Sequence, residues 1–229
     1  MSKPPPMADA NPNDCERIII VGAGGFGREV LQWARQAWPE HVHKLAGFVS
    51  ADPTKLDGHA ASLPILGSPN DFEPRPTDGF VLGIGIPRIR RVVAEQLEAR
   101  GARFLTLIHP TAIVADTAVI GPGSVICPYA IVSAAVRLGR FVLVNYHASL
   151  AHDAAAGDYA VLSPYAVLAG HSAIGRDVFL GLHSSVGPGI QVGEKSKVSA
   201  NSAVLASAGP GSLIHGVPSR ISPLVTSGP

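Results

Sequence analysis

Charge is scarce in this 229-residue chain, and so are aromatic rings. Charged residues make up 15% and aromatics 6%, and the formal net charge is +1. That balance offers no field for nucleic acid or an anionic membrane, and neither partner is expected. Cysteine is nearly absent. Cys15 and Cys127 stand far apart with no CxxC pair, which argues against a disulfide framework or zinc ribbon and fits a reducing, cytoplasmic setting. No apolar run of about 18 residues occurs, so no membrane span is expected. Residues 1–14, rich in Pro, Asn and Ala, lack the apolar stretch of a signal peptide and read as a disordered tail. What is plentiful is small and turn-forming: 25 glycines and 20 prolines beside 46% hydrophobic residues. The core must be built from short aliphatic chains and tight turns, which disfavours a helix bundle.

An internal repeat decides the fold class. Written in rows of six from Ile113, the chain fills sixteen rows without a break, to residue 208. The second column runs Val114, Ile120, Ile126, Val132, Leu138, Val144, Leu150 and onward to Val204, apolar throughout. The third column is small except at Asn145 and Leu205. Period six suits neither an amphipathic helix nor an alternating strand. It suits a short strand and a sharp corner, three of which close a triangle. The aliphatic residue points inward, and the small one clears the coil above. One coil then takes 18 residues, and coils stack about 4.8 Å apart. The expected fold is an α/β Rossmann-like domain over 15–108, an all-β left-handed parallel β-helix over 109–208, and a C-terminal extension over 209–229.

The front domain reads as strand, glycine turn, helix. Ile18–Val21 leads into Gly22, Ala23, Gly24, Gly25, Phe26 and Gly27, whose spacing is GxGxxG. Such a turn lets backbone N–H groups meet a diphosphate at a helix N-terminus. A strand over 46–49 leads to Asp52, at a suitable distance for a ribose hydroxyl. A run over 80–86 contains Gly83 and is followed by Arg88, which is placed to meet a phosphate. A helix over 90–100 and a strand over 104–108 close the domain. The turn alone fits NAD or a nucleotide carried by a substrate, and no separate dehydrogenase domain is present.

Together, VGAGGFGREV at 21–30, IHPTA at 108–112, LAHDAAAGDYAVLSPYAVLAG at 150–170, HGVPSR at 215–220 and the repeats resemble the NeuD-type sugar acyltransferases. That family includes sialic acid O-acetyltransferases and N-acetyltransferases of nucleotide-linked 4-amino sugars. The resemblance implies acetyl-CoA as donor and a homotrimer with sites between subunits; no metal is expected. It maps the family's His-Asp pair onto His152 and Asp153, and the acceptor's nucleotide onto Gly22–Gly27. The coenzyme is expected along Gly170, His171, Leu182, Ala200, Pro218 and Arg220. An intact glycine turn and Asp52 favour a nucleotide-linked 4-amino-4,6-dideoxy sugar, with a sialic acid or other glycan hydroxyl as the alternative acceptor.

Acyl transfer from a thioester needs a base and a donor for the oxyanion. His152 lies two places after inward Leu150 and should point out of the coil. The 18-residue register stacks Gly170 on His152 and His171 on Asp153. Gly170 is then either an oxyanion donor or an easy corner, and His171 is either a second partner of Asp153 or a surface residue. The same register aligns Tyr129, His147, Tyr165, His183 and Asn201 in one outward ladder, as ring packing or as a pocket wall. Two readings from other classes stay open: a non-catalytic scaffold, and a zinc enzyme resembling the γ-type carbonic anhydrases. For zinc, His147 and His152 have the right offset, but Thr111 occupies the third place and His183 lies two coils the wrong way.

Overall fold

The computed structural model describes residues 10–59 and 63–225. Residues 1–9 of the expected tail lie outside that set. Its last part is ordered, contrary to the expectation. Ala10 bridges Leu105, and Pro12–Asp14 form a short 3-10 turn whose Asn11 side chain accepts from Asn13 N–H. Lys44 Nζ donates to Pro12 O at 3.0 Å, which fixes the segment to the domain.

The front domain contains β1 (Arg17–Val21), α1 (Gly25–Ala37), β2 (Leu45–Val49), β3 (Ile65–Gly67), β4 (Asp78–Leu82), α2 (Pro87–Glu98) and β5 (Arg103–Phe104). Its strands are all parallel, in the order β3-β2-β1-β4-β5. Ile18, Ile19, Ile20 and Val21 are fully buried, the pattern of a strand covered on both faces. The helices bury Val30, Leu31 and Ala34 from α1 and Arg90, Ala94 and Leu97 from α2. Pro87 starts α2, where its missing N–H costs nothing. The strand order reverses between β1 and β4, which opens a crevice at their C-terminal ends. The strand expected over 104–108 is divided. Phe104 pairs in the front sheet, whereas β6 (Leu107–Ile108) pairs with Val125–Ile126 and already belongs to the coil.

The second half is a three-sided parallel β-helix. One face stacks the strands Ile113–Val114, Ile131–Val132, Ser149–Leu150, Val167–Leu168, Ser185–Val186 and Ala203–Val204. The next carries Val119–Ile120 through Gln191–Val192, and the third carries β6 and Val125–Ile126 through Lys197–Val198. Partners are 18 apart, as in Leu150 with Leu168 and Val144 with Leu162. The second-column side chains fill the centre. The third column is tight for the expected reason: a Cβ at Gly121 would lie 2.4 Å from Gly139 O, and one at Gly157 would lie 2.6 Å from Arg176 N. Much of the C-terminal extension continues the helix. Ser212–His215 adds a parallel strand to the third face, with Ile214 in the core, and Arg220–Pro223 closes it antiparallel.

The front domain covers the outside of the third face. Val125, Cys127, Leu143 and Val161 join one apolar cluster with Ile18, Val30 and Leu31. Burial pushes the Cys127 thiol well above its usual range, so it is inert packing. His109 is buried at the junction between Gln36 of α1 and Thr111, with ring-nitrogen distances of 2.6 and 2.8 Å.

Candidate active site

The chain turns out of the first face after Leu150, and the corner exposes His152 and Asp153. Asp153 takes a left-handed conformation (φ 59°), and its N–H donates to Ala134 O one coil below. Its carboxylate reaches back to His152 Nδ1 at 2.9 Å. A carboxylate only accepts, so Nδ1 carries the proton and Nε2 offers a lone pair. This hydrogen bond, more than the nearby His171 charge, holds the Asp153 carboxyl below its usual range.

Gly170 lies directly over that imidazole. A Cβ at Gly170 would stand 2.8 Å from both Cε1 and Nε2 of His152, so a side chain there would displace the ring. The Gly170 N–H donates to no acceptor among the described residues, and its carbonyl accepts from Gly189 N–H at 3.0 Å. His171 N–H donates to His152 O at 3.1 Å. Its ring stands edge-on to His152, centroids 5.1 Å apart, with Nε2 3.8 Å from the Asp153 carboxylate. The four residues expected together at this corner are therefore adjacent. His152, Asp153 and His171 also present three ligand atoms within 4.8 Å of one another, a set that could hold a metal ion.

The other residues expected to meet coenzyme lie elsewhere on the chain. Leu182 and Ala200 sit one coil apart at the corner between the third and first faces, and both are exposed. Pro218 and Arg220 lie in the C-terminal hairpin, also exposed. The ring ladder occupies that same corner. Tyr165 is sandwiched between His147 and His183, at 4.8 and 4.6 Å, so those two histidines cannot share one zinc ion.

In the front crevice the glycines divide into two kinds. A Cβ at Gly27 would fall 1.8 Å from Gly22 O, and one at Gly83 would fall 2.8 Å from the Gly27 Cα. Gly22 has φ +103° and would meet Gly83 O at 2.8 Å. These three interlock the strand ends. A Cβ at Gly24 would meet nothing within 4 Å, and one at Gly25 would meet only Arg28 Nη2 at 4.0 Å, so both positions face open space above the N-terminus of α1. Phe26 does not face that space freely; it is half-buried and packs edge-on against Trp33. Arg88 is exposed in the first turn of α2. Asp52 is exposed, and its Oδ1 closes a turn by accepting from Thr54 N–H at 3.0 Å and Thr54 Oγ1 at 2.7 Å.

Sequence reading missed Arg90. It is fully buried and ties the crevice to the coil: Nη1 donates to Leu82 O at 3.0 Å and Ile84 O at 2.8 Å, and Nε donates to Phe141 O at 2.7 Å. Burial lowers its pKa to about 9, so it is still charged at neutral pH. The signal was an arginine on the apolar stripe of α2, between Pro87 and Ala94. Around it, Arg91 pairs with Asp177, Glu95 with Arg176 and Glu98 with Arg140.

Comparison with known proteins agrees with both halves. Residues 17–97 match the family described as the PglD N-terminal domain, and residues 173–206 match the hexapeptide repeat of succinyl-transferase. A GDP-perosamine N-acetyltransferase of Escherichia coli O157:H7 is 28% identical over 131 residues, covering 56% of this chain and 59% of that protein. The match thus spans less than two thirds of that relative's length. The acetyltransferase domain of PglB from Neisseria gonorrhoeae superposes with TM-score 0.80 and 27% identity, covering 90% of this chain and 98% of that one. PerB from Caulobacter crescentus, in complex with CoA and GDP-perosamine, gives TM-score 0.80 and 25% identity over 90% of this chain and 97% of that one. A PglD-type front domain over a hexapeptide-repeat coil is thus the architecture that this chain shares with those acetyltransferases.

Proposed function

We propose that this protein is an acetyl-CoA-dependent N-acetyltransferase acting on the 4-amino group of a nucleotide-linked 4-amino-4,6-dideoxy sugar. The observation that carries the reading is the His152 corner: an imidazole oriented through Nδ1 by Asp153, with Nε2 close against Gly170, whose N–H meets no acceptor among the described residues. The acceptor amine attacks the thioester carbonyl while Nε2 takes its proton. The C–N bond forms, and the Gly170 N–H meets the oxyanion. Collapse breaks the C–S bond, and the imidazolium returns the proton to the departing thiolate.

Gly24 and Gly25, with their open space at the N-terminus of α1, suit the acceptor's diphosphate. Gly22, Gly27 and Gly83 shape that crevice, with Arg88 and Asp52 at its rim. Leu182, Ala200, Pro218 and Arg220 lie away from the His152 corner, which supports a coenzyme site completed by a neighbouring copy in a homotrimer. The Caulobacter protein's complex with CoA and GDP-perosamine supports the substrate class.

The test is release of CoA thiol from acetyl-CoA with UDP-, GDP- and dTDP-linked 4-amino-4,6-dideoxy sugars, beside sialic acid. One amino sugar should support turnover, and His152→Ala should lower it about 10²–10⁴-fold. Turnover with sialic acid alone would move the assignment to O-acetylation. An unaffected His152→Ala would remove the base.

A further inference from the structure

The His152 corner holds one more imidazole than acyl transfer requires. Asp153 alone orients His152, yet His171 brings a second ring nitrogen to the same carboxylate. We propose that His152, Asp153 and His171 form a binding site for a zinc-class transition-metal ion, and that the bound ion reversibly switches off the base. The inhibitory half rests on the function proposed above; the site itself does not.

The donor set is two imidazoles and one carboxylate, which suits zinc far better than magnesium or calcium. His152 Nδ1 lies 2.9 Å and His171 Nε2 3.8 Å from the same Asp153 oxygen, and all three ligand atoms fall within 4.8 Å of one another. Tetrahedral zinc with bonds of about 2.0–2.1 Å separates its ligands by about 3.3 Å. Small turns of exposed rings close that gap: the His152 and His171 side chains are 62% and 68% exposed. The backbone is already set, with Asp153 at φ 59° and His171 at φ 58° stacked in register. Three protein ligands leave the fourth position open to water.

The consequence follows from tautomerism. A neutral imidazole has one lone pair. An ion on Nδ1 takes it, and the ring proton resides on Nε2. The nitrogen beside Gly170 then donates instead of accepting, and it can no longer deprotonate the acceptor. Removal of the ion restores the Nδ1–H tautomer held by Asp153.

The test titrates ZnCl₂ by calorimetry into the chelator-treated full chain, as wild type, His171→Asn, Asp153→Asn and His183→Asn. One zinc per chain is expected, bound at least about 10-fold more weakly by His171→Asn and Asp153→Asn. His183→Asn, on the other ladder, should bind like wild type. Absence of binding, or wild-type affinity in His171→Asn, overturns the site. In parallel, chromatography of the acetylated sugar should show wild-type turnover falling about 10-fold or more at saturating zinc and returning with EDTA. His171→Asn should resist the same zinc concentration. Binding without loss of turnover overturns the inhibitory half. If no acceptor is acetylated even without zinc, the proposed function fails, and calorimetry still decides the site.

Discussion

Two corners of the coil carry a column of rings at the same position of the repeat, and the two columns have different fates. Under α2, Phe141 and Tyr159 stack 5.2 Å apart at 7° and are 0% and 2% exposed. At the next corner Tyr129, His147, Tyr165 and His183 stack at 5.1, 4.8 and 4.6 Å within 12°. There Tyr129 is 57% and Tyr165 43% exposed. Backbone geometry is shared, with φ between 54° and 63° at all six residues. The repeat therefore makes the ladder, and whatever packs over it decides what the ladder contributes. Over Phe141 and Tyr159 lie the Phe104 ring and the guanidinium groups of Arg140 and Arg176. Burial pushes the Tyr159 phenol up to about 12.

The comparison breaks most visibly at Phe141. Its ring is one contact between the coil and the front sheet, through Phe104 at 4.9 Å. Phe141→Ala should cost about 3–5 kcal/mol, the range for a buried aromatic that leaves a cavity. Thermal unfolding should fall by roughly 6–20 °C for a chain of this size. A smaller loss would mean that α2 settles into the space.

Arg90 sharpens the same contrast from the covering side. Arg90→Met keeps the stem and removes a buried charge, which by itself is neutral or favourable. It also strands the carbonyls of Leu82, Ile84 and Phe141, each of which costs about 1–3 kcal/mol when buried without a donor. The net loss should be about 2–3 kcal/mol by denaturant unfolding, less than at Phe141. Because two of those carbonyls belong to the crevice, KM for the nucleotide sugar should rise while KM for acetyl-CoA stays constant. A rise in both would mean that the whole coil has shifted.

What the sequence made legible was periodic. Sixteen repeats of one column fixed the core, and the 18-residue register predicted the ladder and the stacking of Gly170 on His152. Pairings without a period were not legible. Arg90 reaches Phe141 across 51 positions, and nothing local in either segment marks the partner. The left-handed corner was hidden for a different reason: Tyr, His and Phe occupy it, whereas positive φ is usually read from Gly or Asn. Here the corner N–H bonds to the coil below, as His147 N–H does to Pro128 O, and that ladder holds the conformation. The adjacent pair His152 and Asp153 was legible as a pair, but its geometry was not, because neighbours around a corner need not face each other.

The smallest effect is expected on the exposed ladder. His147→Asn removes two ring stacks, each worth about 0.5–1.5 kcal/mol beyond area burial. Opposing that, Asn tolerates positive φ better than most residues, and the column already ends in Asn201 at φ 55°. The corner N–H and its acceptor are unchanged. With water on one side of the rings, the net loss should stay below about 1 kcal/mol, a shift of roughly 2–4 °C at most in thermal unfolding. A loss approaching that of Phe141→Ala would show that this ladder is covered in solution by a second chain. Dilution would then lower the melting temperature of wild type more than that of His147→Asn. In either case the stack is the same, and the cover sets its worth.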